Sequence, residues 1–259
     1  MDLGIRGKKA LVTAASKGLG RGCAAALAEA GVELVICARG EEALRRTATE
    51  LSEKYQVSVT PVVADITEAA ARARVLEQAE GADILVTNAG GPPPGVWTDW
   101  SREDFIRALD ANMLTPIALM QALVPAMAAR GWGRVVNITS ASVRAPVDVL
   151  GLSNAARNGL TGFVAGTSRQ VAGKGVAINN LLPGLHATDR AVALDQGLAA
   201  RESISVEAAK KQRESGIPAG RYGTTAEFGA ACAFLCSAHA GFIIGQNIML
   251  DGGANNLTV

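Results

Sequence analysis

"TAASKGLG" (residues 13–20) is the stretch that decides how this chain folds. It follows the apolar run "KKALVT" (8–13) and opens a helical pattern over 18–30. Gly18 and Gly20 allow a tight turn and a close approach of backbone to a ligand. The helix that follows offers unpaired N–H groups and the positive end of its dipole. Strand, glycine turn and helix N-terminus in that order form the phosphate-binding corner of a dinucleotide fold.

Working outward, the runs "ELVICA" (33–38), "SVTPVVA" (58–64), "DILVT" (83–87), "GRVVNIT" (133–139), "GVAINNLL" (175–182) and "QNIMLD" (246–251) read as further strands. None alternates polar with apolar residues, which predicts strands covered on both faces. Helical patterns fill 41–55, 67–80, 102–129, 152–172 and 225–237. This alternation predicts an α/β fold: a Rossmann-like doubly wound parallel sheet of about seven strands. With 259 residues, 49% of them hydrophobic, the chain can bury one large core, and 1–259 reads as a single domain.

Two stretches break the rhythm. "NAGGPPPGVWTDW" (88–100) is a Gly/Pro-rich loop after the fourth strand, and residues 184–223 are too long for an ordinary connector. We expect 184–223 to form a substrate lid. Within it, Val192, Leu194, Leu198, Ile204 and Val206 predict an amphipathic helical pair over 188–215. Pro92, Pro93 and Pro94 would stiffen the opposite wall, and Trp97 and Trp100 there point to a hydrophobic or aromatic substrate.

The charge balance of 25 basic and 24 acidic residues offers no electrostatic case for nucleic acid or an anionic membrane. The start "MDLGIRGKKALV" lacks a signal-peptide core, and no apolar run reads as a membrane span. Cys23, Cys37, Cys232 and Cys236 form no C-x-x-C pair, so buried free thiols in a reducing cytoplasm are expected and no metal site. The second strand ends "CARG", placing Arg39 where an NAD site carries a carboxylate for the ribose hydroxyls. A guanidinium suits a 2′-phosphate, and Lys17 adds a second cation, so NADP(H) is the expected cofactor.

Together these motifs make the chain resemble, nearly end to end, a short-chain dehydrogenase/reductase of the 3-oxoacyl-ACP-reductase-like type. "TAASKGLG" is similar to that family's T-G-x-x-x-G-x-G, with Ala14 in place of the first glycine. The resemblance implies that Thr13, Ser16, Lys17, Gly18, Leu19 and Gly20 line the cofactor. It implies that Asp65 and Ile66 of "ADIT" meet the adenine, and that Asn88, Ala89 and Gly90 of "NAG" lie along the cofactor. Pro183, Gly184 and Thr188 of "PGLHAT" would hold the nicotinamide carboxamide. Asn112 of "DANML" and Ser140 of "NITSAS" match two catalytic positions, and "GQNIMLDGG" (245–253) resembles the closing strand. A homotetramer built through 102–129, 152–172 and the C-terminal strand, acting on a small-molecule substrate, is implied as well.

"LGLSNAARNGL" (150–160) departs from the pattern. The family's tyrosine follows its serine by about thirteen residues, and its lysine comes four later. Those positions hold Ser153 and Arg157, one helical turn apart on one face. A phenol titrates near about 10, whereas an alkyl hydroxyl is a far weaker acid. Arg157 is expected to hydrogen-bond the nicotinamide ribose and, with a pKa above about 12, to carry no proton. Tyr55 and Tyr222 are the only tyrosines. The expected function is an NADP(H)-dependent reductase of a small hydrophobic carbonyl or imine-like substrate, with Asn112, Ser140, Ser153 and Arg157 as its catalytic set. The proton would come from water, His186 or Asp148, unless the acceptor is an iminium or a conjugated system that needs no protein acid. The alternative is an NADP-binding lyase or isomerase, or a silent partner of an active relative.

Overall fold

All seven apolar runs form strands in the computed structural model, which describes residues 1–256. They are β1 (Lys9–Thr13), β2 (Glu33–Ala38), β3 (Val59–Val63), β4 (Ile84–Thr87), β5 (Gly133–Ile138), β6 (Val176–Pro183) and β7 (Asn247–Leu250). They pair in parallel in the order β3-β2-β1-β4-β5-β6-β7. The direction of winding reverses between β1 and β4, where a doubly wound sheet opens its ligand crevice.

Two helical layers cover the sheet. On one face α1 (Gly18–Glu29), α2 (Glu41–Tyr55) and α9 (Thr225–Leu235) bury Leu27, Leu44 and Phe228 against Val12, Ile36 and Val136. On the other, α3 (Ala69–Gln78), α5 (Thr115–Ala129) and α6 (Gly151–Val171) bury Val75, Leu119 and Leu160 against Leu11, Val35 and Ile178. The central strands are therefore apolar on both sides. The edge strands β3 and β7 are only half-buried, which corrects the expectation that every strand is covered on both faces.

The asparagines inside these strands obey a rule that an apolar-run reading misses. Thr87 donates to Asn137 at 2.7 Å, Asn137 donates to Asn180 at 3.3 Å, and Asn180 donates to Asn247 at 2.8 Å. Each step joins residues in register on neighbouring strands, so one polar ladder crosses β4, β5, β6 and β7. Each buried amide thus finds a partner that offsets its lost hydration.

Residues 102–129 form one continuous helix in three parts: α4 (Arg102–Leu109), a π-turn (Asp110–Leu114) and α5. By length and composition this helix could cross a membrane, which corrects the sequence expectation. Its apolar face packs on the sheet instead, burying Leu119, Met120, Leu123, Val124 and Met127. Between β6 and α9 lie α7 (Asp189–Glu202) and α8 (Val206–Ser215). The helices of the expected lid are present, but not its expected apolar face. Val192 and Val206 are exposed, and Ala191, Asp195, Ala199 and Ala209 are buried.

Candidate active site

The glycine corner sits at the switch point. Thr13 and Asn88, at the ends of β1 and β4, clamp the two strands together. The Thr13 hydroxyl donates to the Asn88 carbonyl at 2.7 Å and accepts from the Asn88 N–H at 2.7 Å. Asn88 also donates through Nδ2 to the Ala14 carbonyl at 3.4 Å. Thr13 is buried, so its hydroxyl is committed to the fold. Ala14 takes φ 48, the left-handed region that glycine occupies without penalty. Gly20 has no alternative: a Cβ there would collide with the Ala14 carbonyl.

Helix α1 begins bare. Its N-cap is Lys17, with no side-chain cap and no acidic residue in the first turn. Helices α2, α3 and α6 likewise lack a side-chain cap, whereas α4 and α9 open with capping boxes and α7 and α8 with Thr188 and Ser205 as caps. The uncapped N–H groups beside Gly18, Leu19 and Gly20 suit a diphosphate. Ser16 precedes them, half-buried, its carbonyl accepting from Thr47 at 3.0 Å. Thr188 faces this corner, its methyl 3.6 Å from where a Gly18 Cβ would lie.

Both cations expected at a 2′-phosphate lie at this end. Arg39 is 81% exposed by side chain and 3.8 Å from Asp65, and Lys17 reaches Asp189 at 2.8 Å. Asp65 also accepts from the Thr67 hydroxyl, which holds its carboxyl below the usual range, with Arg39 adding to the effect. Ile66 follows it, half-buried. Gly90 is exposed, and a Cβ there would meet nothing within 4 Å, so the turn after β4 borders open space. Pro183 ends β6, and Gly184 is pinned by its N–H to the Leu250 carbonyl at 2.8 Å.

Helix α6 carries the departure. Ser153 and Arg157 are both buried, and Arg157 Nε donates to Ser153 Oγ at 3.2 Å. Arg157 Nη1 donates to the carbonyls of Ile138 at 2.9 Å and Thr139 at 2.8 Å, and Nη2 reaches Ala89 at 3.4 Å. The guanidinium is thus spread over the ends of β4 and β5. Burial pushes the guanidinium down to about 10, with Arg190 contributing, which corrects the expectation of an ordinary arginine value. It is a cation at neutral pH all the same.

Ser140 stands just beyond those carbonyls. Its Oγ accepts from the Ser142 N–H at 3.1 Å, which leaves its own proton to donate. Asn112 is buried in the π-turn, where it donates to the Ala108 carbonyl at 3.3 Å. π-Turns are frequent at functional sites. A Gly159 side chain would strike Met113 of that turn, so the turn presses on α6. Buried polar atoms without a hydrogen-bond partner, among the described residues, are Asn112 Oδ1, Thr115 Oγ1, Thr139 Oγ1, Ser142 Oγ and Asn154 Oδ1. Thr139, Ser142 and Asn154 flank Ser140 and Ser153 in the chain, and Asn112 and Thr115 belong to the π-turn and the start of α5; water or a ligand would complete these atoms.

The other proton donors considered are elsewhere or occupied. His186 packs edge-on against Phe228 with ring centroids 5.1 Å apart and lies against Gly223. Its Nδ1 is 3.2 Å from the Gly184 carbonyl, and burial pushes its pKa down, so the ring is held by packing and by that contact. Tyr222 donates to Asp195 of α7 at 2.6 Å, and burial holds its phenol well above the ordinary value. Asp148 is exposed at the start of the short turn before α6.

The 88–100 loop folds against the start of α6. Gly95 N–H donates to the Val149 carbonyl at 3.0 Å, and Trp100 covers Gly151. Val96, Trp97, Val147 and Val149 form an exposed apolar rim around this junction. Arg190, at the start of α7 and not singled out by any local motif, donates to the carbonyls of Gly91 at 3.2 Å and Pro92 at 3.3 Å.

Comparison with known proteins agrees with this geometry. A family model described as enoyl-(acyl carrier protein) reductase matches residues 13–255. The 3-oxoacyl-(acyl-carrier-protein) reductase of Aquifex aeolicus is 30% identical over 258 residues, covering 98% of this chain and 99% of that protein. L-sorbose reductase from Gluconobacter frateurii, solved with NADPH and L-sorbose, superposes with a TM-score of 0.94 at 27% identity, covering 99% of this chain and 100% of that one. A 3-oxoacyl-(acyl-carrier-protein) reductase from Agrobacterium tumefaciens, solved with NADP bound, gives 0.87 at 29% identity, covering 97% and 96%. The chain belongs to the short-chain dehydrogenase/reductase family of oxidoreductases, within its 3-oxoacyl-(acyl-carrier-protein)-reductase-like branch.

Proposed function

We propose that this protein is an NADP(H)-dependent reductase of a small hydrophobic carbonyl compound, acting without a proton donor at position 153. The observation that carries the proposal is the Arg157 guanidinium, held by Ser153 Oγ and three backbone carbonyls. A buried cation held in this way acts on its neighbours only through its field, and Ser153 offers it no phenol to tune. The acceptor must therefore tolerate negative charge by itself, as a conjugated carbonyl does. An iminium acceptor fits less well, because Arg157 and Arg190 make the cleft positive.

The residues present fit the cofactor. Ser16, Gly18, Leu19 and Gly20 would hold its diphosphate at the bare start of α1, and Arg39 and Lys17 its 2′-phosphate. Asp65 and Ile66 would meet the adenine, Asn88, Ala89 and Gly90 the sugar edge, and Pro183, Gly184 and Thr188 the carboxamide. When bound, NADPH supplies a hydride to the acceptor carbon. Ser140 donates its proton in a hydrogen bond to the acceptor oxygen, and Arg157 adds a positive field beneath it. Asn112 Oδ1 anchors a water that returns a solvent proton. The apolar rim and the lid helices keep bulk water from the acceptor. The buried free thiols support a reducing compartment, and the exposed Phe242 supports the expected homotetramer.

The test is a titration of the purified protein with NADPH and NADH, followed by saturated ketones and conjugated enones at the nicotinamide absorbance. We expect preferential NADPH binding and turnover of enones above ketones. Replacing Ser153→Tyr together with Arg157→Lys should raise ketone turnover relative to enone turnover. Tight NADPH binding with no oxidation across the panel would instead favour the lyase, isomerase or silent-partner alternative.

A further inference from the structure

The two cations assigned to the cofactor's 2′-phosphate each have a carboxylate beside them, and those carboxylates belong to different parts of the molecule. Arg39 lies 3.8 Å from Asp65, which follows β3 and is itself held by the Thr67 hydroxyl at 2.7 Å. Lys17 Nζ donates to Asp189 Oδ2 at 2.8 Å, and Asp189 opens α7, 172 residues further along the chain. Lys17 thus joins the glycine corner to α7. The residues on either side of Asp189 reach across as well. The Thr188 methyl lies 3.6 Å from where a Gly18 Cβ would sit, and Arg190 donates to the carbonyls of Gly91 and Pro92 at 3.2 and 3.3 Å. Three consecutive residues therefore fasten the start of α7 to the turns that follow β1 and β4.

These fastenings are superficial. The side chains of Lys17 and Asp189 are 70% and 76% exposed, and Arg190 is exposed too. The rest of the segment is held more deeply. Asp195, buried further along α7, accepts from Tyr222 at 2.6 Å and Arg213 at 3.1 Å. The chain entering α7 is tied by Ala187 N–H to the Gly223 carbonyl at 2.8 Å, and Gly223 N–H to the Leu185 carbonyl at 3.0 Å. An exposed ion pair yields a partner to a competing anion easily, whereas a buried and paired carboxylate does not.

We propose that Lys17 and Asp189 form a clasp that the 2′-phosphate opens, so that Asp189 couples cofactor choice to the freedom of α7. At neutral pH a phosphate monoester carries about −1.5 to −2 charges against one on a carboxylate, and Arg39 is placed to share it. Lys17 turns from Asp189 to the stronger anion, and the two anions then repel each other. A ribose hydroxyl in the same place gives Lys17 no cause to leave Asp189. With NAD(H) the start of α7 stays fastened, and with NADP(H) it comes free on its buried Asp195 anchor. The coupling is reciprocal: whatever breaks the clasp favours the 2′-phosphate by the same factor. This rests on the assignment of Arg39 and Lys17 to the 2′-phosphate and adds a regulation to it. An acid in the first turn of a helix also suits its dipole, so the test pairs Asp189 with Lys17 to separate the two roles.

NADPH and NADH dissociation constants are measured by fluorescence titration for the unmodified chain, Asp189→Asn, Lys17→Met and the double variant. Hydrogen exchange of residues 192–199 is followed under saturating NADPH and under saturating NADH. We expect Asp189→Asn to tighten NADPH about two- to fivefold, the strength of an exposed ion pair, and to change NADH less than about 1.5-fold. In the Lys17→Met background the same substitution should change neither cofactor. Residues 192–199 of the unmodified chain should exchange faster with NADPH than with NADH, and at one rate with both in Asp189→Asn. Equal tightening of NADPH and NADH would overturn the proposal and leave Asp189 a general repulsive charge. An effect that persists without Lys17, a weakening of NADPH in Asp189→Asn, or exchange in the unmodified chain that is not faster with NADPH would each overturn it too, with the cofactor assignment intact. Equal affinity of the unmodified chain for NADPH and NADH is a separate failure. It shows before any substitution at Asp189, and it removes the phosphate assignment and the clasp together.

Discussion

Two arginines separate the two halves of this site. Arg39, at the end of β2, is 81% exposed by side chain and loosely set 3.8 Å from Asp65. Arg157, on α6, is 7% exposed and shares its donors among Ser153 and three carbonyls. At the glycine corner the donors are open: the first turn of α1 has no cap, and Gly90 borders open space. Along α6 they are spent on the protein. Donors left open are available to a ligand, whereas donors already satisfied hold the fold and act on a reaction only through their field.

The largest test of this contrast compares two serines. Ser140→Ala should lower kcat by about 100-fold or more, the usual cost of an oxyanion donor. Ser153→Ala should change kcat less than about threefold, because its oxygen serves Arg157 and not the acceptor. Comparable losses in steady-state turnover would make Ser153 a participant and break the contrast.

The arginines themselves come next. Arg157→Met leaves the Ile138 and Thr139 carbonyls without donors, and we expect a loss of about 3 kcal/mol. For a domain of this size that lowers Tm by roughly 6–12 °C. Arg39→Met should stay within about 0.5 kcal/mol by the same denaturation measurement. Arg39→Asp should instead weaken NADPH about 10- to 100-fold in a fluorescence titration, equivalent to roughly 1.5–3 kcal/mol for a phosphate contact. Equal affinity for NADPH and NADH in the unmodified chain would remove the cofactor half of the comparison.

His186 sharpens the picture through pH. Burial holds its folded pKa below its unfolded value of about 6.5, so the unfolded chain binds the proton more readily. Its contribution to stability is complete above that value and is lost as pH falls through the folded pKa. Chemical denaturation from pH 7 to 5 should show this slope, and His186→Leu should flatten it. A slope unchanged by the substitution would mean that the ring is not a neutral packing residue. A small stabilisation is expected at Ala14. Its φ of 48 costs an L-residue about 1–2 kcal/mol, of which glycine would return part after its own entropy, so Ala14→Gly should stabilise by about 0.5–1 kcal/mol. Destabilisation would mean that the methyl packs to advantage.

What the sequence determined by itself is the layout. Uninterrupted apolar runs separated by helical periods leave the chain little choice but a covered parallel sheet, and the strand–glycine–helix order places its ligand corner. The register of Ser153 and Arg157 on one face was also local, because i and i+4 meet on any helix. Four outcomes belong to the tertiary structure alone. Asn137, Asn180 and Asn247 sit in runs that read as apolar, and only the pairing of strands in register lines up their amides. Helix α7 buries Ala191, Asp195 and Ala199 and not Val192, because the face turned inward is set by Tyr222 and Arg213, which reach Asp195 at 2.6 Å and 3.1 Å. His186 lies near the site in sequence but is turned onto Phe228 by the packing of α9. The fate of Arg157 is the plainest case. A guanidinium looks the same in sequence whether it faces a ligand or a carbonyl, and what decides is which strand ends the fold brings within its reach. Here they are those of Ala89, Ile138 and Thr139, contributed by segments 68, 19 and 18 residues away in the chain.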